Sequence, residues 1–346
     1  MKDKIMGVLY GMAIGDALGM PPELWSRKRL KKEFGRIEDF LPGHPKNEIS
    51  FQYKAGNFTD DTSQALLILD SLIETDFVPD EQNIAKHILE WAKKENAFEK
   101  NILGPTSKAA LKLWEEGKSA KEISDCALTN GSAMRIAPVG ILFYPEQKKE
   151  LCDYVAAVSR VTHSSDIAIA GAAMIAMAVA SMLAYGDREK MLVDVCDIEE
   201  YALSLGAETA SPLLSTRIRY GIELARKYSD DSETFLEKLY NMMGAGVNIA
   251  ESVPCAVAIA YYGSSAKECA VLSANLGGDT DTIGAMAAAI RGGADGIRYQ
   301  SSRENLTDEG STDGIDVKDI ELIKRVNQVD FEKYATALMN RRGKLT

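Results

Sequence analysis

Two short acidic clusters hold the residue types best suited to chemistry in this chain. They read TDDT at 59–62 and GGDTDT at 277–282, and each opens a segment with the apolar spacing of a helix. Simple N-capping is one interpretation, because Asp and Thr are favoured N-cap residues, but capping needs only one such residue per helix. Asp279 and Asp281 would repel each other unless a cation lay between them. Since all-oxygen ligands favour Mg²⁺, Mn²⁺ or Ca²⁺, the clusters predict a metal site.

Other catalytic and metal-binding templates fail in this sequence. An EF-hand beginning at Asp279 would have Ile290 where its terminal glutamate belongs, and no cluster of Cys and His is present to hold zinc. The segment GAGVNIA at 244–250 has Ile249 in place of the third glycine of a dinucleotide fingerprint. The chain has no Walker A loop and no GxSxG elbow, and its 3 histidines leave few bases for a serine triad.

Two segments could hold phosphate through backbone N–H groups at the start of a helix. They are GPTS at 104–107 and NGSAMR at 130–135, where Arg135 would add a charged donor. Either segment could equally be an ordinary turn. The basic run RKRLKK at 27–32 is expected to be a solvated face rather than a phosphate contact. His163 has two open interpretations, a structural cap of the following helix or a residue that contacts a ligand.

Helices must position these residues, because alternating polar and apolar runs are nearly absent. We predict an all-α fold with one domain over 1–346, a compact orthogonal bundle of many helices with a metal-binding cleft. The glycines from Gly7 to Gly19 recur at every fourth position, a stripe that would let another backbone approach closely. The segment 301–318 is predicted to be a polar surface loop or insertion. Helices are predicted over 59–74, 83–94, 107–116, 151–159, 165–185, 198–205, 216–227, 234–242, 254–261, 266–274, 282–290 and 319–326.

Composition and charge restrict the partners and the location of the protein. The run 167–186 is long enough to span a bilayer, but it is mostly Ala, Gly, Ser and Met, so we expect a helix buried in a soluble bundle. The net charge of −11 argues against a nucleic-acid partner and against attraction to anionic membranes. The 5 cysteines form no CxxC pair, and we recognise no signal peptide. These features predict a cytoplasmic protein.

Taken together, the motifs resemble those of the ADP-ribosylglycohydrolase family, which includes dinitrogenase reductase-activating glycohydrolase. The matching segments are GVLYGMAIGDALGMPPE (7–23), FTDDTSQAL (58–66), TNGSAMRIAPVG (129–140), VTHSSDIAIAGA (161–172), ESVPCAVA (251–258) and ANLGGDTDTIGAM (274–286). They occur in the family's order, and the pairing of TDDT with GGDTDT is the most specific feature. The resemblance implies an all-α hydrolase with a dinuclear centre of Mg²⁺, or Mn²⁺, in a cleft.

The resemblance also implies roles for individual residues. The metal ligands would be Thr59, Asp60, Asp61, Asp279, Asp281 and Thr282. Asp60 and Asp61 would also take part in catalysis, together with Glu23, which would activate water or grip ribose. The substrate-binding residues would be Gly131, Ser132 and Met134 in a diphosphate-binding loop, His163 in the cleft wall and, by a looser match, Thr106.

The expected reaction is hydrolysis of the glycosidic bond between ADP-ribose and an acceptor, arginine or another group, through an oxocarbenium-like transition state. The partner would be an ADP-ribosylated protein or a small ADP-ribosyl or nucleoside-like compound.

The segments 20–30 and 103–111 are similar to those of a bacterial subgroup. This similarity favours a second hypothesis, an N-glycosidase acting on a free nucleoside or ribosylated metabolite. A third is a non-catalytic ADP-ribose-binding protein, against which the complete ligand set argues. RGGADG at 291–296 departs from the family pattern by leading into the polar segment 301–318.

Overall fold

The computed structural model describes residues 1–100, 102–297 and 314–345, and the regular secondary structure of this part of the chain consists of helices joined by loops, with isolated β-bridges but no strand. The helices are α1 (Lys2–Gly19), α2 (Arg27–Phe34), α3 (Asp60–Glu74), α4 (Glu81–Lys94), α5 (Pro105–Glu115), α6 (Lys121–Asp125), α7 (Ala137–Gly140), α8 (Lys148–Ser159), α9 (Asp166–Tyr185), α10 (Arg188–Asp197), α11 (Glu199–Leu203), α12 (Leu214–Lys227), α13 (Ser232–Met243), α14 (Ile249–Tyr262), α15 (Ala266–Ala274), α16 (Thr280–Asp295), α17 (Val317–Asn327) and α18 (Phe331–Arg341). The prediction of an all-α fold is confirmed, whereas the single domain over 1–346 stays a prediction.

Most predicted helices lie within a few residues of the observed ones, and 266–274 coincides with α15. The predicted start at 254 was wrong, because Asn248 caps α14 by accepting a hydrogen bond from the N–H of Ala250 (2.8 Å), and Pro254 lies inside that helix. The predicted ranges missed helices α1, α2, α6, α7, α10 and α18. Helices α10 and α18 each follow an aspartate, Asp187 or Asp330, whose side chain caps the helix, so capping was the signal that could have found these two.

Helices α1 and α16 pack with their backbones in contact, and the glycine stripe explains why. A Cβ atom added to Gly15 would lie 2.0 Å from the carbonyl oxygen of Gly284, and one added to Gly284 would lie 2.4 Å from that of Gly15. Gly7, Gly11 and Gly19 meet α16 in the same way. Only a residue without a Cβ permits this approach, so the prediction for the stripe is confirmed.

Helix α9 has the length and apolar composition of a membrane span, with a mean hydropathy of 2.2, yet 94% of that stretch is buried inside the protein. Ser165 caps it by accepting a hydrogen bond from the N–H of Ala168 (3.2 Å). The prediction of a buried bundle helix is confirmed. The interpretation of His163 as its cap was wrong, because Ser165 fills that position.

Two further expectations need correction. In α2 the lysines are exposed, but Arg27 is only 6% exposed and does not belong to a solvated face. Its guanidinium donates to the Glu233 carboxylate (2.7 Å) and to the carbonyl of Leu276 (3.3 Å). The predicted loop 301–318 lies outside the described residues up to 313. Its last two residues are helical, because the Asp316 side chain caps α17.

Candidate metal centre

Acidic side chains from three helices and two loops converge where α16 begins. Carboxylate oxygens of Asp16, Asp61 and Asp281 lie within 4.8 Å of one another. A second group within the same limit consists of Glu23, Asp279 and Asp281. We call these five residues the carboxylate cluster. The close packing of α1 against α16 brings Asp16 to Asp281, and the first turn of α3 supplies Asp61.

Asp16 is a site residue that the sequence analysis missed. It is fully buried, and its carboxylate accepts hydrogen bonds from the N–H groups of Thr59 (2.8 Å) and Thr62 (3.1 Å). The Thr62 hydroxyl also donates to it (2.6 Å). Asp16 therefore caps α3 from a different helix. The signal that could have found it is its position as the single charge in the apolar segment 5–20.

The interpretation of the two clusters as simple helix caps was wrong. Thr59 and Asp279 are the N-cap residues of α3 and α16, but neither side chain makes a capping hydrogen bond. The Thr59 hydroxyl instead donates to Oδ2 of Asp61 (3.0 Å). Because Asp16 accepts from the N–H groups of Thr59 and Thr62, the side chains of Thr59 and Asp279 are not needed as caps and are available for another partner.

The glycines before Asp279 shape the second half of the cluster. Gly277 and Gly278 have φ angles of +85° and +83°, in the left-handed region that glycine adopts without strain. The N–H of Gly278 donates to the carbonyl of Trp25 (2.8 Å). This bond joins the turn to the segment that follows Glu23, so the Glu23 carboxylate is held beside Asp279.

Burial is the main cause of the electrostatics of this site. It raises the pKa of Asp16 to about 6, although hydrogen bonds from hydroxyl and backbone donors lower it. Burial and then neighbouring carboxylates raise the pKa values of Asp61 and Asp281 well above their usual range. The pKa of Glu23 is raised for the same reasons, with Asp279 as its strongest charged neighbour. Such crowding of buried negative charge is unfavourable unless protons or a cation compensate it.

The oxygens that lack partners fit a divalent cation. Among the described residues, Oδ1 of Asp61 and Oδ1 of Asp281 are buried and accept no hydrogen bond, which is unusual for buried polar atoms. The side chains of Thr59 and Thr282 are buried at the same place, only 3% and 4% exposed. Carboxylate and hydroxyl oxygens without donors are the environment that Mg²⁺ or Mn²⁺ prefers.

The predicted ligands do not all have the same surroundings. Asp60 is half-buried and belongs to neither three-carboxylate group, and its Oδ2 accepts a hydrogen bond from Nε2 of Gln64 (2.8 Å). Oδ2 of Asp279 accepts from Nδ2 of Asn130 (2.6 Å). The sequence analysis named neither Gln64 nor the side chain of Asn130 as part of the site. Ligation by the six predicted residues stays a prediction.

The loop that begins at Asn130 lies directly against the carboxylate cluster. A Cβ atom on Gly131 would lie 2.7 Å from Cε1 of His163, so glycine is needed where the loop crosses the imidazole. His163 is fully buried behind this loop, and its Nε2 bonds to the hydroxyl of Thr129 (2.9 Å). Thr129 in turn donates to the half-buried Thr106 (3.0 Å). The structure thus brings Gly131, His163 and Thr106 together.

Other side chains of the same loop face the interior. The Ser132 hydroxyl donates to the carbonyl of Ala168 (3.1 Å), and Met134 is 6% exposed. Their contacts with substrate stay predictions. Arg135 is 1% exposed and its guanidinium bonds to buried side chains. The expectation that Arg135 would add a charged donor for phosphate was therefore wrong.

A cleft of about 390 Å³ opens beside Thr59. Its walls include Tyr53, Trp91 and Asn327, and its volume is that of a small-ligand site. Burial and the nearby Asp60 raise the pKa of Tyr53 above its usual range. The Tyr53 phenol therefore stays protonated and can act as a donor near the acidic residues.

Comparisons with known proteins show the family and the fold of the chain. The family model described as ADP-ribosylglycohydrolase matches residues 1–329. The chain is 42% identical to the uncharacterized protein YegU of Escherichia coli (strain K12), over 97% of this chain and 96% of that protein. It is 26% identical to ADP-ribosylarginine hydrolase Tri1 of Pseudomonas putida (strain GB-1), over 85% and 71%. A solved structure of an ADP-ribosylglycohydrolase-related protein complex covers 98% of both chains with a TM-score of 0.69 and 21% identity, which shows the shared fold.

Proposed function

The chain belongs to the ADP-ribosylglycohydrolase family of hydrolases, and we propose that it cleaves the glycosidic bond between ADP-ribose and an acceptor such as arginine, with water activated near a dinuclear magnesium centre. One observation carries this proposal. One buried carboxylate oxygen of Asp61 and one of Asp281 accept no hydrogen bond from the described residues, at a site where two groups of three carboxylates meet.

The chain's own oxygens would hold two divalent cations, Mg²⁺ or Mn²⁺. The proposed ligands are Thr59, Asp60, Asp61, Asp279, Asp281 and Thr282, and Asp16 supports them from α1. When bound, the cations would supply Lewis-acid stabilisation of developing charge and an orienting template for ribose and water. Such a template would suit cleavage next to ribose, because a positioned water must attack a transition state that resembles an oxocarbenium ion.

Glu23 is the proposed general base. It is half-buried, lies within 4.8 Å of Asp279 and Asp281 through its carboxylate oxygen, and has a raised pKa caused first by burial and then by Asp279. A carboxylate with a raised pKa is better matched to accept a proton from water at neutral pH. The neighbouring Leu24 has a φ of +58°, a conformation that costs energy in a non-glycine residue and points to a constraint at Glu23.

The substrate's diphosphate and ribose are proposed to lie along the loop from Asn130. Asn130 bonds to Asp279, so a ligand on this loop would be next to the carboxylate cluster. Gly131 lets the loop backbone pass close to His163, and the hydroxyl of Thr106 adds a polar group at the rim. Backbone N–H groups in this loop would offset the overall acidity of the protein locally and so allow a phosphate to bind.

The cleft beside Thr59 favours a second candidate. Its volume of about 390 Å³ and its aromatic walls, Tyr53 and Trp91, suit a small planar leaving group. The candidate is an N-glycosidase acting on a free nucleoside or ribosylated metabolite, with the same ligands. In either case we propose a cytoplasmic enzyme without a nucleic-acid or membrane partner, in keeping with its net charge of −11.

Turnover by mass spectrometry tests both candidates. The purified chain would be incubated with ADP-ribosyl-arginine, ADP-ribosyl-serine, ADP-ribose and a set of nucleosides, with Mg²⁺ and again with EDTA. Release of ADP-ribose from a linked substrate only when Mg²⁺ is present is the expected result. Cleavage of nucleosides alone would favour the second candidate, and turnover that is unchanged by EDTA would contradict the metal centre.

A further inference from the structure

A buried arginine lies between the two halves of the proposed site. Arg135 is only 1% exposed, so its guanidinium is almost completely removed from water. Its guanidinium donates to two neutral oxygens, Oε1 of Gln64 (2.6 Å) and Oγ1 of Thr162 (2.7 Å). A buried cation is costly unless its hydrogen bonds are satisfied. These two contacts therefore hold the guanidinium in place, and Arg135 can orient other side chains through Gln64 and Thr162.

One arm leads from Arg135 to the acidic residues. Because the Gln64 oxygen accepts from Arg135, the amide group of Gln64 is oriented with its Nε2 toward Asp60. That nitrogen donates to Oδ2 of Asp60 at 2.8 Å. Gln64 is fully buried, one helical turn after Asp60 in α3, so the orientation of its amide fixes the rotation of the Asp60 carboxylate.

The second arm leads from Arg135 to the substrate loops. Thr162 accepts from Arg135, so its own hydroxyl proton is free for Nδ1 of His163 (2.7 Å). Burial lowers the pKa of His163 to about 3, and the neutral ring then carries its proton on Nε2 and donates to Thr129 (2.9 Å). Thr129 donates to Thr106 (3.0 Å). Every donor in this arm points away from Arg135.

We propose that Arg135 is a positioning residue that sets the hydrogen-bond direction at both ends of the site. Through Gln64 it orients Asp60 for cation binding, and through the second arm it leaves Thr106 with an outward hydroxyl proton for a substrate oxygen. We call the buried residues Gln64, Arg135, Thr162 and His163, together with the half-buried Thr129, the Arg135 network. Side chains behind metal ligands typically change metal affinity by about 10- to 100-fold when replaced.

Manganese binding tests the first arm and does not depend on any substrate. Mn²⁺ would be titrated into the purified full chain and followed by electron paramagnetic resonance. For Gln64→Leu we expect a Kd for Mn²⁺ raised about tenfold or more. Should that variant fail to fold, Gln64→Glu keeps an acceptor for Arg135 but cannot donate to Asp60, and the same increase is expected.

Ser181→Ala is the matched control for this experiment. Ser181 is also fully buried and loses one hydrogen bond, to Asp194 (2.8 Å), far from the site on α9. We expect its Kd for Mn²⁺ to stay within twofold of the wild-type value. A wild-type Kd in the Gln64 variants, or an equal increase in Ser181→Ala, would overturn the proposal.

Thr162→Val tests the second arm, and this part rests on the proposed function because it needs a substrate. We expect Mn²⁺ affinity within twofold of wild type, KM raised about tenfold and kcat changed less than KM. Thr162→Ser retains the hydroxyl and is expected to restore KM. A proportional loss of Mn²⁺ affinity in Thr162→Val would show general damage and overturn the two-arm assignment.

The wild-type chain separates the two hypotheses. If it bound no Mn²⁺, the metal centre of the proposed function would be contradicted. If it bound Mn²⁺ but the variants showed none of the expected changes, only the positioning role of Arg135 would be contradicted.

Discussion

The carboxylate cluster and the Arg135 network are both polar and largely buried, and they lie next to each other, but they differ in how their hydrogen bonds are satisfied. In the network, the Arg135 Nη groups and both nitrogens of His163 have partners within 2.9 Å. In the cluster, Oδ1 of Asp61 and Oδ1 of Asp281 have none among the described residues. The hydrogen bonds of the Arg135 network are satisfied within the protein, whereas these two oxygens of the carboxylate cluster need a further partner such as a cation.

The difference separates two uses of buried polarity. A satisfied network contributes to stability and fixes geometry, and its loss leaves buried groups without partners. A crowded set of carboxylates destabilises the folded protein when no cation is bound, and it stabilises the fold only when a cation compensates the charge. Variants in the carboxylate cluster should therefore lose turnover without losing stability, whereas variants in the Arg135 network should lose stability.

The largest expected effect is on turnover in Asp281→Asn. Asp281 belongs to both groups of three carboxylates, so its replacement should disturb the binding of both cations. We expect kcat/KM to fall about 1000-fold, since metal ions contribute several kcal/mol of transition-state stabilisation. Folding stability without metal should not decrease, because repulsion is relieved. Turnover and circular dichroism would be measured together.

The matched control for that variant is Asp194→Asn. Asp194 is 7% exposed and accepts from Ser181 (2.8 Å) outside the cluster, and we expect wild-type turnover. A loss of less than tenfold in Asp281→Asn would contradict the assignment of the cluster as the reaction centre.

The packing that assembles the cluster is tested by Gly15→Ala. The new methyl group would meet the Gly284 backbone at 2.0 Å, so α1 and α16 would have to separate. We expect the free energy of unfolding to fall by about 3 kcal/mol, the upper part of the range for overpacking. In Gly104→Ala the methyl group meets no atom within 4 Å, and unchanged stability is expected. Equal melting temperatures for the two variants would refute this account of the glycine stripe.

A substitution in the Arg135 network should lower the free energy of unfolding, whereas one in the carboxylate cluster should not. Thr162→Val leaves one Arg135 donor and Nδ1 of His163 without partners. We expect the free energy of unfolding to fall by about 2 kcal/mol, the cost of leaving buried polar groups unsatisfied. Chemical denaturation with and without Mg²⁺ would measure it. If this variant were as stable as Asp281→Asn, the contrast between the two regions would not hold.

The smallest expected effect is the pH dependence of metal stabilisation. The folded pKa of Asp16 is raised from 3.8 to about 6, so the folded apo-protein holds more protons than the unfolded chain and loses stability as pH rises across that interval. The raised pKa values of Asp61 and Asp281 extend the loss to higher pH. Because Mg²⁺ replaces those protons, we expect the increase in Tm between EDTA and Mg²⁺ to be several degrees larger at pH 8 than at pH 5. An equal or larger increase at pH 5 would contradict this sign.

Local patterns predicted much of this molecule. The acidic clusters, the glycine stripe and the buried α9 could all be read from the sequence, because each depends on neighbouring residues or on helical spacing. The sequence analysis did not predict the contacts of Asp16 or Arg135, because the partner Thr62 is 46 positions from Asp16 and Gln64 is 71 positions from Arg135. The partners in such contacts are set by the packing of helices, so the isolated charge of Asp16 is visible in the sequence but its contact with Thr62 is not.

Anomalous diffraction at the manganese edge, from crystals grown with Mn²⁺, tests the central claim most directly. We predict strong peaks where the carboxylates of Asp61 and Asp281 meet, within coordination distance of the oxygens that now lack partners, and none in the Arg135 network. An empty carboxylate cluster at saturating Mn²⁺, or peaks only at surface carboxylates, would contradict the account.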